Sequence, residues 1–386
     1  MTILDRYIIR SFIRNYLLSF VVLVGMYIAL DMIFNFDELT RNMTGSDTGN
    51  GGGDVPLLQI LRLIAQIADF YVYKIFAYFI ILSGIIPVVA AAFTLMRMTR
   101  LNELTAMLAA GVPLLRIAAP VIAMGILVGM LVVADQELII PHIAYKLARE
   151  HDEIARPRLA SYQIRAMEDS TGSLLMAAKY DPPDVEQNIP AKMHRVDIIQ
   201  FNEEGKPLAY VQAKEATYND RQKLWKLDGG VRQTGLRPDD PVSTQQVTQW
   251  QTSIGPEEIG LRRRASFVDL LSTAQINQLL AYPRNYGTVP LLRVKHWRVV
   301  QPIMNVVLIL LAIPCVLTRE PTGVKAAALR TVVSTGGCLA VVFLCLQVAA
   351  NPPSPSLVRY WPMAILWLPV FVFAPLAVWL LDRVKS

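Results

Sequence analysis

Six stretches without a single charged residue are the feature that most limits what this chain can fold into. They lie at residues 15–30, 75–96, 117–134, 299–318, 331–356 and 360–381. A helix that crosses the hydrocarbon core of a membrane needs about 20 mainly apolar residues, and five of the six stretches meet or nearly meet that length. The first one extends to residue 36 if Asp31 is tolerated. The sequence therefore predicts an α-helical integral membrane protein with six transmembrane helices.

The basic residues beside these stretches predict the orientation. They precede the first stretch, separate the second from the third and the fourth from the fifth, and follow the sixth: Arg6, Arg10, Arg14, Arg97, Arg100, Arg116, Arg319, Lys325, Arg330, Arg383 and Lys385. If the six spans alternate, all these positions lie on one side, which the positive-inside rule assigns to the cytoplasm. We therefore expect both termini in the cytoplasm. The formal net charge of +6 then needs no nucleic-acid partner to explain it.

Residues 155–265 differ from the rest because apolar and polar residues alternate and turn signals recur. Strands are predicted at 195–201, 207–213, 215–219, 223–233 and 244–254, with two more within 161–179. Seven or eight short strands without intervening helices predict an external all-β sandwich or jelly roll, inserted between transmembrane helices 3 and 4. The predicted domains are an N-terminal membrane half at 1–150, the β domain at 151–265, and a linker helix with the C-terminal membrane half at 266–386.

Four helices or helix extensions are predicted outside or between the spans. Apolar residues at helical spacing predict one helix over 57–96, which would be about 60 Å long at 1.5 Å per residue. The third span is expected to continue towards residue 150, and a short helix is predicted at 266–280. Before the first span, Arg6, Arg10 and Arg14 recur every four residues and predict an amphipathic helix at the cytoplasmic surface.

Asp31 lies in the outer part of the first span and allows two interpretations. Its carboxylate could face a cavity and pair with Arg62 or Lys74 of the next helix, or it could reach the outer membrane interface, because Asp37 is close by. A second outer cluster contains Arg293, Lys295 and Arg298 at the start of the fourth span. It runs against the positive-inside trend, and either anchors the interface or contacts an anionic head group.

The connector between the second and third spans is predicted to be a helix over 99–111 with an acid, Glu103, near its start and a small-residue face. Gly111 fits a left-handed helix cap and Pro113 stops the helix. Such a helix is either an ordinary interfacial helix or one that docks into the groove of a partner.

Residues for catalysis or metal binding are not apparent. The four histidines are scattered, and the sequence has no HExxH, GxSxG or Walker motif. The uncharged stretches are nearly free of polar groups, whereas an intramembrane hydrolase needs such groups to converge. We therefore expect a transporter component or a scaffold, with no catalytic residues and no metal site.

Three motifs occur in this arrangement of three spans, a β domain and three spans. They are LDRYI at residues 4–8, ELTAMLAAG at 103–111 and AKEATYNDRQKLWKLDGG at 213–230. Together they resemble the LptF/LptG (YjgP/YjgQ) family, the permeases of the lipopolysaccharide-exporting ABC transporter, and LDRYI is slightly more LptG-like. The resemblance implies a multi-pass protein of the bacterial inner membrane, with a periplasmic β domain.

The resemblance also implies partners. A second permease chain, a paralogue or a copy, would complete a cavity for lipopolysaccharide, and LptC/LptA-like jelly rolls would continue the bridge to the outer membrane. An LptB-like cytoplasmic ATPase dimer would use the ATP, and this chain would bind no cofactor. The ATPase-coupling residues carried over are Arg100, Glu103, Leu104, Ala106, Met107 and Gly111.

The sequence departs from the family at the outer end of the first span, where a lysine that meets the lipid phosphates is common. Asp31, Asn35 and Asp37 stand there instead. Either other residues supply the positive charge, or the head group differs. The candidates are Arg62, Lys74, Arg293, Lys295 and Arg298. A permease of another ABC-type lipid or lipoprotein exporter, and a non-transporting membrane scaffold, remain the alternative functions.

Overall fold

The computed structural model describes residues 3–35, 57–147, 161–169, 172–183, 189–202, 206–235, 241–252, 254–262, 267–281, 288–317 and 324–383. Asp37, Arg319, Lys385 and the end of the predicted third helix at 148–150 lie outside these residues, as does the Gly-rich stretch at 45–53. Arg62 lies within a described helix, but its side chain is outside the described part.

Along the chain, the described helices come before and after the strands of an antiparallel sheet. Before the sheet come α1 (Ile3–Phe34), α2 (Leu57–Leu82), α3 (Ile85–Arg100), α4 (Glu103–Ala109), α5 (Leu114–Ala134), a π-helical turn (Asp135–Ile139) and α6 (Ile140–Leu147). After it come α7 (Pro256–Arg262), α8 (Phe267–Leu270), α9 (Thr273–Ala281), α10 (Thr288–Val316), α11 (Val324–Ala349), a 3-10 turn (Pro355–Leu357) and α12 (Trp361–Arg383).

Five helical segments among the described residues are long and apolar enough to cross a membrane. These are α1, the run Leu114–Ala144, α10, α11 and α12. The pair formed by α2 and α3 makes a sixth if it counts as one span, but its two parts are bent by 69°. The prediction of one continuous helix over 57–96 is therefore wrong. Predicted continuity beyond residue 134 is confirmed as far as Leu147, although the helix passes through a π-helical turn.

The break between α2 and α3 has a local cause. Pro87 has no N–H, so it cannot donate to the carbonyl of Ser83 as a continuous helix requires. Instead, the N–H and hydroxyl of Ser83 both donate to the Ile80 carbonyl, at 3.3 and 2.7 Å. Gly84 follows, and a Cβ there would lie 3.2 Å from Asn305 Oδ1, so the bend brings this backbone close to α10.

Polar side chains from two other helices complete the hydrogen bonding at the break. Gln301 Nε2 donates to the Ile80 carbonyl at 2.9 Å, and Asn305 Nδ2 donates to Ser83 Oγ at 3.0 Å. Gln136 Nε2 in turn donates to Gln301 Oε1 at 2.8 Å. Buried polar groups do therefore converge between the spans, contrary to the expectation from the sequence. These groups are side-chain amides and a hydroxyl, and they form hydrogen bonds at the point where the helix is broken.

Helix α10 lies at the centre of the membrane bundle, with α3, α5, α11 and α12 packed around it. A GxxxG pair in α5, Gly125 and Gly129, faces it. A Cβ on Gly125 would lie only 2.3 Å from Ile309 Cδ1, and one on Gly129 would lie 3.5 Å from Pro302 Cβ. The two helices thus approach closely because α5 has no side chains there, which is the usual role of small residues between membrane helices.

Eight strands among the described residues form the sheet, in agreement with the predicted seven or eight. They are β1 (Tyr162–Glu168), β2 (Leu174–Asp181), β3 (Lys192–Phe201), β4 (Pro207–Asn219), β5 (Leu224–Asp228), β6 (Val231–Thr234), β7 (Ser243–Gln246) and β8 (Gln249–Gln251). The order is β1-β2-β3-β4-β5-β8, with β6 between β4 and β7. The C-terminal half of β4 pairs with β5 and its N-terminal half with β6, so the sheet divides along this strand.

Strand boundaries differ from the prediction at three places. The predicted strands 207–213 and 215–219 are one strand, β4, whereas 223–233 is divided at Gly229 and Gly230. Gly229 has a φ of +61°, and a Cβ on Gly230 would lie 2.1 Å from the Val247 carbonyl oxygen, so both positions require glycine. The predicted strand 244–254 is likewise divided into β7 and β8. Trp225 and Leu227 share the buried face of β5, as predicted.

The linker helix predicted at 266–280 is two helices, α8 and α9. Ser272 separates them and caps α9: its N–H donates to Gln275 Oε1 at 2.7 Å, and its Oγ accepts from the Gln275 N–H at 3.2 Å. This reciprocal pair is a capping box, which starts a new helix where the 3.6-residue pattern suggests a continuous one.

Candidate functional site

The connector between α3 and α5 is a separate helix. α3 ends at Arg100, the chain turns at Leu101 and Asn102, and α4 begins at Glu103. Asn102 has a φ of +59°, a left-handed conformation that asparagine adopts more readily than most residues. The predicted helix start at residue 99 is therefore wrong, because this turn separates the acid-bearing helix from the end of α3.

The end of α4 has the predicted form. Gly111 has a φ of +78°, its N–H donates to the Leu108 carbonyl at 2.9 Å, and the Val112 N–H donates to the Met107 carbonyl at 3.0 Å. This is the Schellman arrangement, in which a left-handed residue closes a helix. Pro113 follows and α5 begins one residue later.

The two faces of α4 differ. Leu104 is buried in the membrane core cluster, the set of buried apolar residues that α1, α3, α5, α10, α11 and α12 share with α4. Met107 packs against the same cluster while partly exposed. Thr105, Ala106 and Ala109 are exposed, as is Arg100 just before the helix. Of the six predicted coupling residues, Leu104 and Met107 therefore fix the helix to the bundle, and the small residues leave the opposite face open.

Glu103 contacts a residue that the sequence analysis did not connect with it. The Tyr7 hydroxyl lies 3.0 Å from Glu103 Oε1 and 2.9 Å from Oε2, although 96 residues separate the two in sequence. A second contact ties α1 to the start of α5, because Arg116 Nη2 lies 3.3 Å from Asp5 Oδ2. Asp5 and Tyr7 belong to the LDRYI motif, so the structure brings the two most N-terminal motifs together. Sequence analysis noted each motif but had no local signal that they touch.

Arg298 is not available as a head-group contact, which corrects the expectation from the sequence. It is only 6% exposed, and its Nη1 lies 3.0 Å from Glu137 Oε1 and 3.2 Å from Thr273 Oγ1. Its Nη2 donates to the backbone carbonyls of Leu271 and Asp269. Glu137 also accepts from the Thr273 N–H at 2.9 Å. The guanidinium thus joins the extended third helix, the linker helices and α10.

The other basic candidates differ in their surroundings. Lys74 Nζ lies 3.7 Å from Asp31 Oδ2 and 4.1 Å from the centre of the Phe70 ring. The hydroxyls of Tyr71 and Tyr78 donate to the same Asp31 oxygen at 3.0 and 3.3 Å. Asp31 therefore faces α2, and of the two interpretations the structure favours the pairing with Lys74.

Arg293 and Lys295 are partly exposed at the start of α10. Within the described ranges, no group of three or more His, Cys, Asp and Glu side chains is arranged to hold a metal ion.

The fold and the connector agree with the result of a comparison with protein families. The family model for the lipopolysaccharide export system permease LptF/LptG matches residues 57–383. The chain belongs to the LptF/LptG family. A search of curated proteins found no match. The matched region of the permease includes the bent pair α2 and α3, the α4 helix, the whole sheet and all the later helices.

Membership identifies the class of protein to which this chain belongs, but it does not distinguish LptF from LptG. The LptF/LptG family consists of transporter permeases, and this chain, with its several long apolar helices, is a multi-pass protein of the inner membrane. The match begins at residue 57, so it does not include the LDRYI motif on which the leaning towards LptG depends. LptF and LptG share the model, and the match does not distinguish them.

Proposed function

We propose that this permease couples ATP hydrolysis by a separate cytoplasmic ATPase dimer to the extraction of lipopolysaccharide from the inner membrane. The observation that carries the proposal is the form of α4. It is a short capped helix between two spans, fixed by Leu104, open on its small-residue face, and started by an acid. The family membership supplies the transported lipid class.

The proposed topology has six spans, with α2 and α3 forming the second. Both termini and α4 lie in the cytoplasm, and the sheet lies in the periplasm as a jelly roll that hands lipopolysaccharide to LptC/LptA-like bridge proteins. A second permease chain, a paralogue or a copy, completes the cavity. The basic residues at Arg97, Arg100, Arg116 and Arg330 support this orientation through the positive-inside rule.

Glu103 is the residue we assign to ATPase docking. A carboxylate in the first turn of a helix is favoured by the helix dipole, and it offers a partner to a basic residue in a partly desolvated groove. The Tyr7 hydroxyl, donating to both carboxylate oxygens, holds the side chain in place before docking. Tyr7 is therefore assigned as a positioning residue.

Co-purification of the ATPase with Glu103 variants tests the docking role. Glu103→Arg is expected to lower the amount of ATPase recovered with the permease by about tenfold or more, since truncating one partner of a desolvated charge pair costs several kcal/mol, and to abolish lipopolysaccharide-stimulated ATP hydrolysis. Tyr7→Phe is expected to retain the ATPase but to require a higher ATPase concentration for half-maximal association. Asp382→Arg, an acid-to-arginine change at the end of α12, serves as the control. Equal ATPase recovery from the Glu103→Arg variant and wild type would refute the docking role.

Contact with the lipid head group is assigned to Arg293 and Lys295, with Lys74 and Arg62 as further candidates. The first two lie on the same helix as Arg298 but are partly exposed, so their charges can reach an anionic group. A photo-crosslinking residue placed at Lys295 is expected to label lipopolysaccharide, and one at the buried position of Val300 is not. Labelling at Val300 but not at Lys295 would contradict this assignment.

A further inference from the structure

A basic groove lies where the beginning of α1 meets the end of α3. Its volume is about 820 Å³, and four arginines line it. Arg6, Arg10 and Arg14 follow each other at four-residue spacing on one face of α1, and Arg97 faces them from α3. The same helix turns are anchored on their other side, because Ile8 and Phe12 are fully buried in the membrane core cluster. The groove is therefore built on a fixed part of the bundle.

The positive charge of this groove is not balanced by ion pairs within the described part of the chain. No carboxylate among the described residues forms an ion pair with any of the four guanidinium groups, and Arg6, Arg10 and Arg14 are exposed. Asp5, next to Arg6 in the chain, forms an ion pair with Arg116 of α5. Four like charges in one groove repel each other, and the repulsion is relieved when an anion binds.

The groove also has an apolar side. Ile9, Ile13 and Leu17 line it next to the arginines, and Ile13 and Leu17 are 41% and 57% exposed. This apolar stripe continues along α1 into the span, where Leu18 and Val21 are still more exposed. Along the helix, therefore, charge gives way to exposed apolar surface in the direction of the membrane interior.

We propose that this groove binds the head group of an anionic phospholipid of the cytoplasmic leaflet, with its acyl chains along Ile13, Leu17 and Val21. The guanidinium groups match the phosphate, because the planar arginine fork donates two parallel hydrogen bonds to phosphate oxygens. Basic pockets between membrane helices on the cytoplasmic side are suited to such head groups. An acidic peptide would satisfy the charges but would leave the apolar stripe without a partner, so the lipid accounts for both sides of the groove.

Binding of the lipid rests on the proposed orientation, which puts the groove at the cytoplasmic leaflet, but it does not depend on the proposed docking of an ATPase. A bound lipid would nevertheless affect the proposed docking, because Tyr7 lines the same groove and donates to Glu103. A bound head group would therefore lie beside the side chain that positions the docking acid, and the composition of the membrane would influence coupling.

Native mass spectrometry of the purified full-length permease, with phosphatidylglycerol as the probe, tests the proposal. Wild type is expected to retain phosphatidylglycerol in preference to phosphatidylcholine. The triple variant Arg6→Gln, Arg10→Gln, Arg14→Gln is expected to lose about tenfold or more of this retention, since each basic residue near an anionic lipid contributes separately. The control is the triple variant Lys325→Gln, Arg330→Gln, Arg383→Gln, which removes three exposed basic residues on the same side of the membrane but outside the groove. This control is expected to retain the lipid.

Each result supports or overturns the proposal. Equal retention by the triple variant and wild type overturns it, as does an equal loss in the control. Inorganic phosphate or glycerol phosphate that displaces the lipid at equal concentration would show a site for free anions, and overturns the lipid assignment. If the triple variant does not fold, the single variants Arg97→Gln and Arg10→Gln provide the measurement, because they change different helices and each is expected to reduce retention.

Discussion

Replacing Arg298 provides a strong test of the structure, because the sequence and the structure give this residue different roles. Sequence analysis placed it among the possible lipid contacts, whereas the structure buries it between Glu137, Thr273 and the linker backbone. Arg298→Met keeps most of the side-chain volume and removes the charge and all the donors. We expect the permease to lose stability, and to do so without any lipid present.

The expected loss follows from what the substitution leaves behind. Removing one partner of a buried ion pair typically costs about 3–5 kcal/mol, because the remaining charge is buried without compensation. Glu137 is 31% exposed and retains two donors from Thr273, so water and these bonds offset part of the loss. The Leu271 carbonyl loses its donor, which adds about 1 kcal/mol. We therefore expect a decrease of about 3 kcal/mol in the free energy of unfolding.

The assay is equilibrium unfolding in mixed micelles, with the detergent SDS as the denaturant. A double-mutant cycle with Glu137→Gln separates the pair from its surroundings, and a coupling of about 2 kcal/mol is expected for residues in direct contact. Lys295→Met is the matched control, since Lys295 is partly exposed on the same helix. Unchanged stability of the Arg298→Met variant, together with loss of lipopolysaccharide crosslinking, would refute the structural role and restore the lipid contact.

Three further predictions concern packing, the helix break and pH. Gly125→Ala is expected to destabilise the bundle by about 1–3 kcal/mol, because the added Cβ would lie 2.3 Å from Ile309 Cδ1. The second change Ile309→Val removes that Cδ1 atom, so the double variant is expected to recover part of the lost stability in the same unfolding assay. Asn305→Leu removes a donor to Ser83 Oγ and is expected to lower the free energy of unfolding by about 1–3 kcal/mol. The control Cys345→Ala on α11 is expected to have a smaller effect. An unchanged unfolding midpoint for Asn305→Leu would contradict the account of the break. Burial raises the pKa of the Asp181 carboxyl, but hydrogen bonds from Ser161, His194 and Lys179 outweigh this and lower it to about 2. This pKa is lowered on folding, so its contribution to stability is present above the unfolded value of about 4 and is lost as the pH falls towards 2. Sheet stability can be followed by the fluorescence of the buried Trp225 as a function of pH. Wild type is expected to lose stability between about pH 4 and 2, and Asp181→Asn is expected to lose less over the same range. Identical pH profiles for wild type and Asp181→Asn would refute the assignment.

Much of the secondary structure could be predicted because its signals are local. Uncharged stretches located the spans, and alternation located the strands, since both depend only on residues a few positions apart. The glycine cap at Gly111 was predictable for the same reason. The boundary at Ser272 was missed although its capping box is also local, because the apolar pattern continues through it.

The candidate site was less predictable, and particular contacts show why. Glu103 could be selected from its motif, but its partner Tyr7 is 96 residues away and no periodic pattern links them. Arg298 stood out through its charge, yet its burial depends on Glu137, 161 residues away. Similarly, Gln301 and Asn305 look like minor interruptions in an apolar stretch until the bend at Ser83 gives them a common partner.

The sequence by itself determined which parts of this permease are apolar enough to enter the membrane, because the transfer of an uncharged stretch into lipid is a property of that stretch alone. Only the tertiary structure decided where the helix predicted over 57–96 bends, that Arg298 is buried, and that Asp31 and Glu137 are paired. A buried polar group needs a partner of the right geometry, and in this chain those partners come from helices far apart in the sequence.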